Sequence, residues 1–418
     1  MGIEELLDSL TEAVDGKKFF LVFDDVWDED LSRWRPLRAL LCKGRQGSRI
    51  LVTTRSKVTA RNMGTVEPYE LEGLSNDESW ALFKALAFSE GHEEANPRLT
   101  RIGKEILKKC GNVPLAIRTV ATFLHSRGTE QEWEHFRDGD LRMIEQKEND
   151  IMPTLKLSYN HLQLQQKRCF SYCSLYPKDH KYDVQRLIWL WMANGFVESQ
   201  DEGRTCFMEL LRKCFFQEVR SDPDCLLKET CYMPHLIHDL AQQVADDCLF
   251  LECWHGQVIS NNIMHVQVLN PQCLYSGLSW LSSSKCIRSL IISTWSSFRY
   301  PRPSMNENPK SGINEEAKSG LNEICSLFLQ LRALDMGEGK FESLPKSIGE
   351  LQHLRYLRVC VSNKCLPEEI TRLQFLQTLD LAGSKIEELP SGFSELTCLK
   401  NLRLGSDTWL GDMPPEFG

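Results

Sequence analysis

Phe19-Phe20-Leu21-Val22-Phe23 is an unbroken apolar run that stops abruptly at Asp24-Asp25. Such a run, rich in aromatic and β-branched residues, predicts a strand buried on both faces, with two carboxylates at its C-terminal end. Before it, residues 3 to 14 follow the period of a short amphipathic helix, which Gly16-Lys17-Lys18 ends. After it, a helical pattern through Trp34, Leu37, Leu40 and Leu41 is broken by Gly44 to Gly47, and a second buried strand, Arg49-Ile50-Leu51-Val52-Thr53-Thr54, runs into Arg55. The pattern is that of a β-α-β unit with parallel strands and a right-handed crossover. Asp24, Asp25 and Arg55 then stand at one edge of the sheet, the edge that faces the ligand crevice in open parallel sheets.

The period then becomes helical. Ser75-Asn76-Asp77-Glu78 is a capping box that opens a helix with Trp80, Phe83, Leu86 and Ala87 inward. A second helix starts at Asn96-Pro97, buries Leu99, Ile102, Ile106 and Leu107, and ends at Lys108-Lys109-Cys110-Gly111 with basic last-turn residues and a glycine stop. Pro114 opens a third, through Leu115, Ile117, Val120 and Leu124. Leu155, Leu157, Tyr159 and Leu162 precede a helix with Cys169 and Phe170. Val184 to Ala193 makes another, dense in Leu187, Ile188, Leu190 and Trp191. Phe215 to Arg220, a turn around Pro223 and Leu226 to Tyr232 predict a hairpin.

From residue 256 the period lengthens. Leu331-Arg332-Ala333-Leu334, Leu354-Arg355-Tyr356-Leu357, Leu376-Gln377-Thr378-Leu379 and Leu399-Lys400-Asn401-Leu402 recur every 22 or 23 residues, interleaved with Leu344-Pro345, Leu366-Pro367 and Leu389-Pro390. That spacing predicts a leucine-rich repeat solenoid with an earlier, degenerate turn at Ile287-Arg288-Ser289-Leu290. Residues 295–319, polar and rich in Pro and Asn, predict a disordered insert. The repeat leucines should point inward, leaving Arg355, Tyr356, Arg358, Asp380, Lys400 and Arg403 exposed on the concave face as candidates for a partner surface. The last turn, Met413 to Gly418, stops mid-unit.

Composition narrows the classes. The chain has 418 residues, 42% hydrophobic and 26% charged, with a net charge of -9, which suits a globular protein and argues against a general binder of nucleic acid or anionic membrane. Its start lacks the basic and apolar regions of a signal peptide, and no run approaches a membrane span. Sixteen cysteines are scattered without a Cys-x-x-Cys pair, and Cys169 with Cys173 is a lone helical pair, so a reduced, cytoplasmic chain is expected rather than a zinc site.

The order and spacing of Leu21-Val22-Phe23-Asp24-Asp25-Val26-Trp27, Gly47-Ser48-Arg49-Ile50-Leu51-Val52-Thr53-Thr54-Arg55 and Cys110-Gly111-Asn112-Val113-Pro114-Leu115 resemble the nucleotide-binding domain of plant NLR immune receptors. Trp27 after the acidic pair and the block Lys167 to Asp179 look like the coiled-coil subclass. The resemblance implies a multidomain fold. Its parts would be the C-terminal half of a P-loop-type α/β domain (1–70), a helical bundle (71–150), a winged helix (151–255) and leucine-rich repeats (256–418). It implies ADP or ATP with Mg²⁺ as ligand, Asp24 on the metal, Asp25 as general base and Arg55 as phosphate sensor. Gly111, Pro114 and Leu115 would lie beside the nucleoside, with Pro114 on the adenine side. The implied activity is a slow nucleotide switch rather than an enzyme of turnover.

Two departures accompany the resemblance. The family's Met-His-Asp, aligned through Leu236-Ile237-His238-Asp239-Leu240, reads Met233-Pro234-His235, so a proline stands where a histidine would meet the β-phosphate, and His235 is the candidate substitute. The chain also contains no Gly-x-x-x-x-Gly-Lys-Ser/Thr, the loop whose amides and lysine cradle phosphates, and reads as an internal piece of a receptor. Two functions fit. One is an ADP/ATP-operated immune switch whose repeats recognise a pathogen effector, a guarded host protein or a full-length receptor. The other is a nucleotide-independent scaffold or decoy. DNA binding by the winged helix is disfavoured, because Arg186 is the only basic residue on its recognition helix.

Overall fold

The computed structural model describes residues 3–26, 30–88, 96–125, 127, 129–140, 152–222, 225–251, 260–269, 286–293 and 312–405. They form two compact units, Met1–Gly73 and Leu74–Gly418.

In the first unit, α1 (Ile3–Val14) leads to β1 (Phe20–Phe23), α2 (Leu31–Leu41), β2 (Arg49–Val52) and α3 (Lys57–Met63). The strands pair in parallel, Phe20 opposite Arg49 through Phe23 opposite Val52. Asp30 caps α2 by accepting from the Ser32 amide at 2.8 Å. Val14, Leu40 and Leu41 are buried, with Leu7, Leu10, Phe19, Leu21, Phe23, Trp34 and Leu37 packed around them. The expectation of strands buried on both faces is corrected. Phe20 is 64% exposed, Val22 54% and Leu51 51%, because α1 and α2 pack on one side only and nothing among the described residues covers the other.

The second unit begins with α4 (Asn76–Ala87), whose Ser75 and Glu78 form the predicted capping box. Then come α5 (Pro97–Leu107), α6 (Pro114–His125) and α7 (Glu130–His135), the last with a second capping box from Thr129 and Glu132. Phe83, Ile102, Ile106, Ile117, Val120, Leu124 and Trp133 make their core. Leu155 and Leu157 lie within a helix themselves, α8 (Met152–Asn160), ahead of α9 (Leu164–Tyr172).

Next, β3 (Tyr182–Asp183) runs into α10 (Val184–Asn194) and α11 (Gln200–Arg212), and then into β4 (Gln217–Asp222) and β5 (Cys225–Tyr232). The three strands form an antiparallel sheet in the order β3-β5-β4, with the turn residue Pro223 outside the described residues. Asp183 caps α10, and Gly195 ends it at φ 74°, a left-handed conformation that glycine adopts without a Cβ clash. Cys169 and Cys173 are buried free thiols, both raised above the ordinary range by burial.

After α12 (His235–Val244), a seven-stranded parallel sheet is built from β6 (Cys248–Leu251), β7 (His265–Val268), β8 (Ser289–Ile292), β9 (Ala333–Phe341), β10 (Tyr356–Val361), β11 (Thr378–Asp380) and β12 (Asn401–Arg403). Its first strand precedes residue 256, where the sequence period changes. Leu334, Leu357 and Leu379 are fully buried and in mutual register, and Leu402 is half-buried against the same core. Helix α13 (Gly312–Leu327) packs Leu321, Ile324 and Cys325 into that core. Residues 312–319 are therefore helix, not the expected disordered insert; 295–311 and the last turn, 413–418, lie outside the described residues. Among the described residues no helix is long and apolar enough to cross a membrane.

The concave face is corrected too. Tyr356 and Asp380 are fully buried, and Arg358 is largely so. Ile291, Ala333 and Tyr356, on the sheet face opposite the repeat leucines, belong to the same core as Leu187, Leu190 and Trp191 of α10. The winged helix thus covers the part of the sheet that the repeat pattern alone would leave open.

Candidate functional site

In the first unit, β1 and β2 deliver their ends side by side. The Thr53 amide bonds Phe23 O and the Val26 amide bonds Thr53 O, both at 2.9 Å, so the parallel ladder extends past the strands and holds Asp24 and Asp25 beside Thr53 to Arg55. Thr53 Oγ1 accepts from the Asp25 amide at 2.8 Å and donates a short hydrogen bond to Asp24 Oδ1. Arg55 Nε meets Asp25 Oδ1 at 3.3 Å. Asp25 has φ 52°, a left-handed conformation that Asp tolerates better than most residues. Its side chain is turned to Arg55 and nearly buried, whereas Asp24 is exposed.

The arrangement offers one outward carboxylate for a hydrated cation and one guanidinium for a terminal phosphate. Thr53 is the residue that sequence reasoning missed, because a threonine inside an apolar run reads as ordinary strand. Trp27 lies outside the described residues.

The other candidates lie in the second unit. Gly111 and Asn112 are both left-handed, at φ 58°, and turn the chain from α5 into α6. Asn112 is held by Ser79 Oγ, which donates to its Oδ1 at 3.1 Å, and by the Leu74 amide on its carbonyl at 2.9 Å. Pro114 is exposed as the first residue of α6, and Leu115 packs against the winged-helix core.

His235 is the first residue of α12, after Pro234. Its Nε2 lies 2.7 Å from Asp179 Oδ1. The segment Tyr176–Asp179 is clasped to α12 twice more, by His238 Nε2 donating to Tyr176 O at 2.6 Å and by Lys178 Nζ to Asp239 Oδ1 at 2.9 Å. Burial depresses the pKa of His238, only partly offset by its bond to Tyr176 O. Asp179, Gln217, Tyr232, Met233, Pro234 and His235 line a recess of about 300 Å³. A phosphate beside His235 would face the Asp179 carboxylate, and Pro234 offers neither a side-chain donor nor an amide proton. As placed, these residues do not fit a diphosphate.

The second unit also holds a charged junction between winged helix and repeats. Arg186 of α10 donates through Nε at 2.8 Å and through Nη2 to Asp335 of β9, which is fully buried. Arg358 lies 3.8 Å from Asp335 and 3.6 Å from Asp380, and Arg403 lies 3.7 Å from Asp380. Burial would raise the pKa of Asp335, but Arg186 and then Arg358 outweigh it and, with the Gly337 amide, hold it below the usual carboxylate range.

A parallel α/β fragment, a winged helix and a leucine-rich sheet follow one another in that order, a multidomain arrangement rather than a single domain. The profile of the NB-ARC domain matches residues 2–93, that of the disease resistance protein winged helix domain 175–241, and that of the leucine-rich repeat region 313–417. Disease resistance protein RGA2 of Solanum bulbocastanum is 37% identical over 361 residues, 84% of this chain and 32% of its own. Disease resistance protein RPP13 of Arabidopsis thaliana is 28% identical over 387 residues, 90% of this chain and 43% of its own. The chain belongs with the plant NLR disease-resistance proteins, and it spans about a third of the length of RGA2.

Proposed function

We propose that the chain is part of a plant immune receptor in which an ADP/ATP-operated switch is coupled to a leucine-rich repeat recognition surface. The observation that supports this best is the convergence of Asp24, Asp25, Thr53 and Arg55 at one end of a parallel strand pair, within a region matching the NB-ARC profile. In this reading Asp24 serves the Mg²⁺ side, Asp25 is the base and Arg55 senses the terminal phosphate. Arg55 would have to exchange its Asp25 partner for that phosphate. Gly111, Pro114 and Leu115 flank the nucleoside, and His235 would reach a β-phosphate only on leaving Asp179.

The residues divide at about 70, 150 and 255 into the half nucleotide domain, the bundle, the winged helix and a repeat solenoid. The protein works in the cytoplasm, and its repeats meet a protein partner.

Among the described residues the groups brought together here are one outward carboxylate and one guanidinium, without a ring of oriented amides. Calorimetric titration of the 418-residue chain with Mg²⁺ and ADP should therefore give binding weaker than roughly 10 μM. Tighter saturable binding would overturn the view that these residues hold a nucleotide only weakly.

A further inference from the structure

The residues just before the strands of the repeat sheet form a column of their own, which opens with Asp247 and Met264 and runs on through Arg288, Arg332, Arg355, Gln377 and Lys400. The amide of Arg332 bonds Arg288 O, Arg355 bonds Arg332 O, Gln377 bonds Arg355 O and Lys400 bonds Gln377 O, all at 2.7 to 2.9 Å. From Arg288 onward five side chains therefore succeed one another strand by strand, about 4.8 Å apart and spanning about 19 Å. Four of the five are cationic.

The inner column, three residues further along the strands, alternates in sign as Asp335, Arg358, Asp380 and Arg403, and each neighbouring pair in it is opposite in charge. From Arg288 onward the outer column has no such compensation, and Asp247 at its start lies 3.8 Å from His265. None of Arg288, Arg332, Arg355 and Lys400 forms an ion pair among the described residues. Arg332 Nη1 donates to Asn194 O at 3.1 Å, where the C-terminal end of α10 favours a cation. Arg355 approaches the same helix end at Gly195. That end accounts for two of the cations and leaves Arg288 and Lys400 without an ion-pair partner among the described residues. Burial, and then the guanidinium groups of Arg288 and Arg355, lower the pKa of Arg332, a sign of repulsion left unrelieved.

We propose that this column is a docking strip for an acidic stretch of polypeptide lying extended across the strands. In an extended chain, alternate residues on one side recur at about 6.6 to 7 Å, and the long Arg and Lys stems can absorb the mismatch with the strand spacing. A nucleic-acid backbone fits less well, since the chain as a whole carries -9 and would repel it beyond this strip. The inference rests on the repeat sheet being a protein-interaction surface. It does not depend on nucleotide, so the ADP titration can fail without touching it.

The test is fluorescence anisotropy of a labelled twelve-residue polyglutamate titrated with the whole chain, beside polyglutamine and single-stranded oligo-dT of the same length. Saturable, salt-sensitive binding of polyglutamate alone is expected. Arg288→Gln, Arg355→Gln and Lys400→Gln together should weaken it about tenfold. An equal charge change in the first unit, at the exposed Lys18, Lys43 and Arg45, should leave it within about twofold. Arg288→Lys with Arg355→Lys should retain it, which separates lost charge from a damaged fold. The proposal is overturned by no polyglutamate binding, by equal losses in the two triple variants, or by oligo-dT binding the column more tightly than polyglutamate.

Discussion

Asp25 combines an unusual backbone with a paired side chain. A non-glycine residue in the left-handed region carries strain of about 1–2 kcal/mol, which glycine would relieve. Its ion pair with the 35%-exposed Arg55 returns little, because exposed pairs are screened. Asp25→Gly should therefore leave stability unchanged or raise it by up to about 1 kcal/mol, and Asp25→Ala should lower it, by thermal unfolding. If Asp25→Gly proves strongly destabilising, the aspartate is there for the fold. His265 behaves differently. It is 2% exposed, its Nδ1 lies 3.0 Å from Ser289 Oγ, and burial, only partly offset by Asp247, pushes its pKa down to about 4. The unfolded chain takes up that proton near pH 6.5, before the native ring does, so stability holds above pH 6.5 and falls as pH drops toward 4. The loss from this residue should reach up to about 3 kcal/mol, and His265→Gln should flatten the decline in urea midpoint between pH 7 and 4.5. The meeting of Asp24, Asp25 and Arg55 at one edge was legible because each follows an apolar run. The roles of Asp335 and Arg186 were not, since they are 149 residues apart and each reads locally as a lone charge in an apolar element.

Most elements were visible because caps and periods agree. Ser75 with Glu78, and Pro114 at the head of α6, mark helix starts through the unpaired amides they satisfy or spare. The repeat leucines mark strands through the recurrence that one side of a parallel sheet imposes. Where a segment has polar composition but a covered inner face, composition misleads. Residues 312–319 look like insert, yet they open a helix, Gly312–Leu327, whose Leu321, Ile324 and Cys325 are spaced to fill the repeat core. Exposure on the concave side was likewise unreadable, because what covers Tyr356 comes from α10. Leu357→Ala should cost about 2–5 kcal/mol, as expected for a cavity in a fully buried core. Leu402→Ala, in the half-buried β12, should cost about half as much in the same denaturation experiment. Equal losses at both positions would mean that β12 is as well covered as β10.

Within the second unit, the winged helix and the repeats share side chains rather than merely touching. Asp335 is fully buried, so removing its nearest cation leaves a charge that water cannot reach. Arg186→Met should cost about 3–5 kcal/mol, and adding Asp335→Asn should restore a good part of it, because the stranded charge goes with the carboxylate. A double-mutant cycle that returns simple additivity would show that Arg358 alone compensates Asp335. The two modules are recognisable by separate profiles, 175–241 and 313–417, which invites treating them as interchangeable beads. The buried pair says otherwise. A chimera joined between residues 251 and 260 would take its arginine from one parent and its aspartate from the other. Unless both parents keep that match, the hybrid inherits a buried unpaired charge, so any exchange of repeats among relatives must carry α10 along or preserve Arg186 and Asp335 together.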